Sequence, residues 1–442
     1  MIRSPSAQNS TSTDPSPSNN VQRFEVHRNW LAITHSLPIS KWYYEDTSEW
    51  TLDYPPFFAY FEWCLSCFAQ YLDKNMLIVE NLNYDSKSTI FFQRFSVILT
   101  DLVYAFGVKR CLEALKISNK YQKLTGTVSL LFNVGLIFVD HIHFQYNGFL
   151  FGILLISLAY ILEEKYIKGA FFFAALLNFK HIFIYIAPAF GIYLLRSYVF
   201  NKNVREFWIL KIFKLVFVVG ACLGLSFGPF YDHIPQVLSR LFPFKRGLTH
   251  AYWAPNIWAL YNFIEKIATV LLKRSITGSS TSSGLVQEFE FQVLPNISPL
   301  ATFAVTGFMM IPCILAVWRN GTKESFLKAL HGTLRTWLQA YCCESSIQWG
   351  GGFRDLRLST CEKLYLLGIP ILTLYEYLLQ YLLNFDKKLP FLPLMLCSVY
   401  CALGVLYFYV NYYIQFLFDK RGDGKVKSKK DQKVIYHKIK LT

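Results

Sequence analysis

Apolar and polar positions alternate along this chain in long blocks, and the block lengths point to helices that cross a membrane. Apolar stretches with little or no charge run near 90–108, 126–139, 148–162, 168–178, 181–198, 209–230, 299–318, 364–383 and 391–414. A hydrocarbon layer of about 30 Å needs about 20 helical residues. Inside it every backbone polar group must be bonded within the segment, which favours helices. The pattern predicts an all-α polytopic membrane protein, a helical bundle of about nine spans. Several blocks are short, and 168–198 also reads as a broken hairpin.

The segments between the blocks differ in kind. Residues 1–20 are rich in Ser, Thr, Pro and Asn and cannot bury a core, so they read as disordered. Residues 21–89 form a polar loop rich in aromatic residues, among them Trp30, Trp42, Tyr43, Tyr44 and Trp50, which favour a membrane–water interface. Within that loop, Pro55 and Pro56 open a helix running from Tyr54 to about Tyr71. Its aromatic residues and Glu62 predict that it lies along the interface. The remaining divisions are a membrane module at 90–230, a loop with amphipathic helices at 231–298, a second module at 299–418 and a basic tail at 419–442.

Composition narrows the class. Of 442 residues 53% are hydrophobic and only 17% charged, against about 25% in soluble domains. A soluble enzyme, a disordered scaffold and a disulfide-rich secreted domain are thereby excluded. Cys222, Cys313, Cys397 and Cys401 lie inside apolar stretches, where a thiol acts as a small hydrophobe. The net charge of +15 sits between the apolar blocks and in the tail, which argues against nucleic-acid binding. Lys109, Arg110, Lys116, Lys165, Lys168, Arg196, Lys202, Arg319, Lys323 and the 420–440 run all fall on one face of a nine-span bundle. The preference of Lys and Arg for cytosolic loops makes that face cytosolic. The opposite face receives 24–89, 140–147, the turn near Asn178–His181 and 231–298, which hold nearly all the unusual polar residues.

Three motifs on that face suggest chemistry. In Asp140-His-Ile-His-Phe-Gln-Tyr-Asn147 most side chains hydrogen-bond or ionise, which is costly beside a membrane unless used. His141 and His143 read as metal ligands or as part of a hydrogen-bonded turn, and the lack of a matching carboxylate cluster argues against a metal. Gln145 and Asn147 suit sugar hydroxyls. Lys180 and His181 form either an anion site or a turn whose lysine snorkels to the interface. Phe242-Pro-Phe-Lys245-Arg246-Gly-Leu-Thr-His250 mixes cations for phosphate oxygens with aromatic faces for sugar rings. Asp53, directly before Tyr-Pro-Pro, is either a helix cap or an acid–base group.

Four stretches together resemble a known family: Phe24-Glu-Val-His-Arg-Asn-Trp30, Thr51-Leu-Asp-Tyr-Pro-Pro56, the run Val139 to Gly152, and Arg240-Leu-Phe-Pro-Phe-Lys-Arg-Gly247. They resemble the endoplasmic-reticulum α-1,3-glucosyltransferases that use dolichyl phosphate glucose, multi-pass enzymes of the GT-C type, and look closest to the one adding the second glucose. The resemblance covers roughly 24–318 and 361–418. It implies transfer of glucose, with inversion, to a monoglucosylated lipid-linked oligosaccharide in the lumen, between membrane-bound donor and acceptor and without a metal or other cofactor. A first-loop carboxylate is the expected base. The resemblance leaves Glu25 and Asp53 as catalytic candidates. It assigns His27, Arg28, Asp140, His141, His143, Gln145, Asn147, Lys180, His181, Lys245, Arg246 and His250 to substrate contacts.

Two departures stand out. The family pattern has Asp directly before Phe-Glu-Val-His-Arg-Asn-Trp, whereas this chain has Arg23, and the polar segment 1–20 stands where a first span is expected. Residues 328–360 lack the expected lumenal motif and the spans around it. An altered or incomplete form of the enzyme is the expectation. The alternatives are the first-glucose transferase, a catalytically silent dolichyl-lipid-binding relative, and a multi-pass transporter or scramblase. No internal repeat of the kind found in many transporters is evident.

Overall fold

The computed structural model describes residues 19–142, 144–201, 206–242, 257–272, 291–338, 360–385 and 392–418, and every regular element among these is helical. In chain order these are α1 (Asn19–Ser36), α2 (Pro56–Ala69), α3 (Lys87–Ala114), α4 (Lys120–Leu131), α5 (Val134–Ile137), α6 (Asn147–Leu162), α7 (Tyr166–Phe179) and α8 (Ala187–Leu194). There follow α9 (Trp208–Phe227), α10 (Ile234–Leu241), α11 (Ile257–Leu271), α12 (Pro299–Asn320), α13 (Lys323–Leu338), α14 (Thr360–Leu374) and α15 (Leu392–Phe418).

Among the described residues, six helical stretches are long and apolar enough to cross a membrane: Lys87–Ala114, Lys120–Ile142, His181–Val199, Trp208–Leu241, Leu300–Asn320 and Leu392–Asn411. They match six of the nine apolar blocks. Two further blocks are α6 and α7, which are apolar but shorter. At 1.5 Å per residue they reach about 24 and 21 Å, less than a hydrocarbon layer of about 30 Å. The block at 364–383 is helical as well, but Glu376 and Gln380 dilute it.

The chain divides into two compact units. The first holds residues up to 184 together with 203–243. Its α3 and α6 lie side by side, and α6, α7 and α9 pack in succession. Glycine permits the α3–α6 approach. A Cβ on Gly107 would stand 2.6 Å from the Gly152 carbonyl oxygen, and one on Gly152 would stand 2.7 Å from the Tyr104 nitrogen. Small residues of this kind let membrane helices come into backbone contact. Gly152→Val is therefore expected to cost at least about 1–3 kcal/mol through overpacking, because the clashing atoms are backbone and cannot rotate away. Gly220→Val, with nothing within 4 Å of its Cβ position, is the control. Thermal midpoints of the two detergent-solubilised variants check this, with a fall expected only for Gly152→Val.

In the same unit, α1 and α2 pack on each other and on the turn at 74–77. Sequence polarity marks 21–89 as a loop with a helix only from Tyr54 onward, yet α1 takes up its residues 21–36. The helix forms because its charged groups find partners inside the fold. Helix α2 lies within the expected Tyr54–Tyr71 stretch.

The second unit holds 185–202 and 244–442. Here α8 packs on α12 and α13, with Phe326 stacked on Tyr193 at 4.4 Å and edge-on to Phe190 at 5.1 Å. Gly321 ends α12 with φ +55°. Arg196 Nε donates to the Trp318 carbonyl at 3.2 Å and Ser197 Oγ to the Gly321 carbonyl at 2.9 Å. On α11, the Glu265 carboxylate accepts the backbone N–H groups of Gln292, Val293 and Leu294 at 2.8–3.1 Å. Burial pushes that carboxyl up, and these three donors more than reverse the effect, leaving it below the usual range.

The Arg196 contact bears on orientation. Arg196 and Arg319 are both among the cations that the charge pattern puts in the cytosol, and Asn320-Gly-Thr lies between Arg319 and Lys323. Asn320 is expected to carry no glycan although it sits in a glycosylation sequon. Endoglycosidase digestion of the chain and its Asn320→Gln variant checks this. A mobility shift that depends on Asn320 would reverse the orientation.

Candidate active site

The site is built in the first unit from the 138–142 turn, the residues before α2, the start of α6 and the end of α7. Asp140 is 1% exposed. Its Oδ1 accepts the Asn147 backbone N–H at 3.1 Å and Asn147 Nδ2 at 2.9 Å, and its Oδ2 accepts the Gly148 N–H. The carboxylate thus satisfies N–H groups that the first turn of α6 leaves without helical partners, where a negative charge is favoured. Asn147 Nδ2 also donates to Gln145 Oε1 at 2.8 Å. Asn147 Oδ1 in turn accepts from Lys180 Nζ at 3.0 Å.

Lys180 stands where α7 stops, in extended backbone with φ −147° and ψ 111°. Its ammonium lies 4.9 Å from the centroid of the Tyr54 ring, a cation–π arrangement. Burial, then the negative charges of Asp53, Asp140 and Glu62, raise the Tyr54 phenol far above its ordinary value. Three carboxylates therefore act electrostatically on one aromatic ring. Asp53 is half-buried, and its charge also acts on Tyr43. It does not cap α2: the N-cap is Pro55, with no side-chain cap bond. The capping reading of Asp53 is thereby corrected.

Other candidates are engaged elsewhere. Arg28 is fully buried. Its Nε and Nη2 each donate to a Glu25 carboxylate oxygen at 2.7 Å, and its Nη1 reaches the Met76 and Ile78 carbonyls at 3.0 and 3.1 Å. Both Glu25 oxygens are occupied by this fork. His27 Nδ1 lies 2.7 Å from Glu62 Oε1. His141 Nε2 pairs with Asp101 Oδ2 at 2.9 Å. The His181 ring meets the Phe242 ring edge-on at 5.2 Å, and its Nδ1 has no hydrogen-bond partner among the described residues. His143, Lys245, Arg246 and His250 lie outside the described residues.

Among the predicted residues, Asp140, Gln145, Asn147 and Lys180 thus form one chain of bonds that ends over the ring of Tyr54, the residue after Asp53. Sequence reasoning passed over Asp101 and Glu62. A carboxylate in the middle of an apolar block was the available signal for Asp101. Glu62 had been read as a mark of the interface, and only the fold shows that it faces inward.

The model of the ALG6, ALG8 glycosyltransferase family matches residues 16–342 and 332–412. The chain belongs to that family. Among its relatives is a Drosophila melanogaster protein named probable dolichyl pyrophosphate Glc1Man9GlcNAc2 alpha-1,3-glucosyltransferase, 48% identical over 458 residues, with 88% of this chain and 89% of that protein covered. The Bos taurus protein of that name, without "probable", is 41% identical over 482 residues, covering 90% and 91%. The Arabidopsis thaliana one is 37% identical over 481 residues, covering 89% and 93%. All three alignments exceed the chain's 442 residues, so each relative carries residues without a counterpart here. The two stretches of the family match meet inside 328–360, where the expected motif is missing. This chain is accordingly a multi-pass glycosyltransferase-family protein whose relatives act on dolichyl-linked sugars.

Proposed function

We propose that this chain transfers glucose from dolichyl phosphate glucose to a dolichyl-diphosphate oligosaccharide that already carries one glucose, forming an α-1,3 bond at the endoplasmic-reticulum membrane. The observation carrying this reading is the activity for which a relative 48% identical over 88% of the chain is named. An acceptor named Glc1Man9GlcNAc2 holds one glucose, so the sugar added would be its second.

The site supports the reaction. The acceptor hydroxyl oxygen bonds to the anomeric carbon on the face opposite the phosphate. The carbon–oxygen bond to phosphate breaks, its electron pair leaves with dolichyl phosphate, and the hydroxyl proton passes to a carboxylate. In this chain Asp53 is the carboxylate we assign, because it lies in the family-like stretch Thr51-Leu-Asp-Tyr-Pro-Pro56 and directly precedes Tyr54, whose ring the Lys180 ammonium approaches. The Lys180 ammonium, held by Asn147, stabilises the charge developing on the leaving phosphate. A preorganised cation of this kind is among the larger contributions to catalysis. Gln145 and the Tyr54 ring receive the sugar.

The test incubates the purified chain with dolichyl phosphate glucose and acceptors carrying zero, one or two glucoses. A gain of one hexose on the monoglucosylated acceptor alone is expected. Transfer to the unglucosylated acceptor would make it the first-glucose enzyme, and donor binding without transfer would make it the silent relative that Arg23 suggests.

A further inference from the structure

Glu62 is 0% exposed. His27 Nδ1 approaches its Oε1 at 2.7 Å, while Oε2 has no hydrogen-bond partner among the described residues. Burial raises its carboxyl above the usual range against the smaller opposing effect of His27. A buried pair of this kind contributes little net stability, and apolar residues of similar volume often serve as well or better. Its use has to be sought in what it holds.

The imidazole is edge-on to Phe144 at 5.2 Å and to Tyr146 at 5.0 Å, with Trp30 closing the other side at 5.0 Å. Phe144 has φ +63°, a left-handed conformation that is unfavourable for a bulky side chain and persists only where its surroundings enforce it. The enforcing groups are the His27 ring and Phe24, the latter 5.1 Å from Phe144. One residue past Tyr146, Asn147 takes the Lys180 ammonium.

We propose that the His27–Glu62 pair is a positioning device for the 144–147 turn: the carboxylate fixes the imidazole plane, the imidazole holds the left-handed Phe144, and the turn so held presents Asn147 to Lys180. This reassigns His27 from contacting substrate to setting the site, and its catalytic consequence rests on the transferase reading above.

Three variants of the full chain test it: Glu62→Gln, Glu62→Leu, and the double variant His27→Leu/Glu62→Leu. Amide hydrogen exchange across 144–148, thermal midpoint and transfer rate are read for each. Glu62→Leu and the double variant are expected to exchange about tenfold faster in that turn. Transfer should fall about 100-fold, the usual scale for a misplacement of about 1 Å, with the midpoint unchanged in the double variant, where neither partner is left buried alone. Glu62→Gln keeps an oxygen for the imidazole N–H and should stay within about threefold of the parent on both readouts. Parent-like exchange in the double variant would show that the pair merely fills space. A midpoint that drops together with faster exchange throughout the unit would make it a stability element, and a Gln variant as impaired as the Leu variant would remove the hydrogen bond from the account. Each of these overturns the proposal. If the parent chain transfers no glucose, the transferase reading fails while the exchange data still decide the positioning role.

Discussion

Arg28→Ala is expected to lower stability by about 3–5 kcal/mol, the usual cost of removing one partner of a buried ion pair. The size follows from what the guanidinium satisfies. Two of its nitrogens meet the two Glu25 oxygens, and a third reaches the Met76 and Ile78 carbonyls. Without it a carboxylate that is 3% exposed is left without its counter-ion, and the turn beneath α1 loses two side-chain bonds. Ser36 Oγ, donating to the Leu77 carbonyl at 2.6 Å, is then one of the few remaining polar ties to that turn. Arg28→Lys should rescue little, because a point-like ammonium cannot make a planar two-point fork and still reach two carbonyls. A total stability of about 5–15 kcal/mol is ordinary for a domain, so the variant should reach the membrane in reduced amount and be cleaved early by protease near 74–78. Thermal midpoint and limited proteolysis decide it. An unchanged midpoint together with lost transfer would return Arg28 to the substrate-contact role that the motif resemblance gave it.

That contrast shows what a sequence carries and what it hides. The membrane blocks were legible because a long apolar run has few other uses, and α2 was legible from two prolines followed by an amphipathic aromatic stretch. Helix α1 was not. Glu25 and Arg28 pair three residues apart on one helix, a spacing the sequence does display, but their burial depends on distant partners: Glu62 for His27 and the 76–78 carbonyls for Arg28. Pairings across 35 to 50 residues leave no periodic trace. Asp140, Gln145, Asn147 and Lys180 were found because polar residues flanked by apolar blocks are costly and conspicuous. Their order, from helix cap to amide to ammonium to phenol ring, depends on where α6 begins and α7 ends, and a sequence places such ends only to within a few residues. Asp53 failed as a cap for the same reason, since the helix starts after Pro55.

Arg23→Asp is expected to raise transfer by about 100- to 10,000-fold, the range over which a positioned general base contributes. Position 23 lies in α1, directly before Phe24. The Phe24 ring rests on Phe144, its carbonyl accepts from Gln93 Nε2 at 3.1 Å, and the Arg94 guanidinium lies 5.4 Å over the ring. The backbone at this point is therefore fixed against the turn that carries Asn147. A carboxylate introduced one residue earlier would stand on a rigid helix and not on a loop. The resemblance to the glucosyltransferases puts Asp at this position, whereas arginine stays protonated and cannot take a proton from a hydroxyl. Arg23→Asn separates charge removal from base restoration: an amide removes the cation yet accepts no proton, so a gain confined to Arg23→Asp identifies a base. Asp53→Asn in the Arg23→Asp background should then cost less than it does in the parent chain, because proton acceptance has moved to the new carboxylate. Should the parent already transfer at the restored rate and lose it with Asp53→Asn, Asp53 alone is the base. Should Arg23→Asp bring no gain and the parent stay inactive, the defect lies in 328–360, where the two stretches of the family match meet, and inserting the relatives' intervening residues there becomes the next variant to assay.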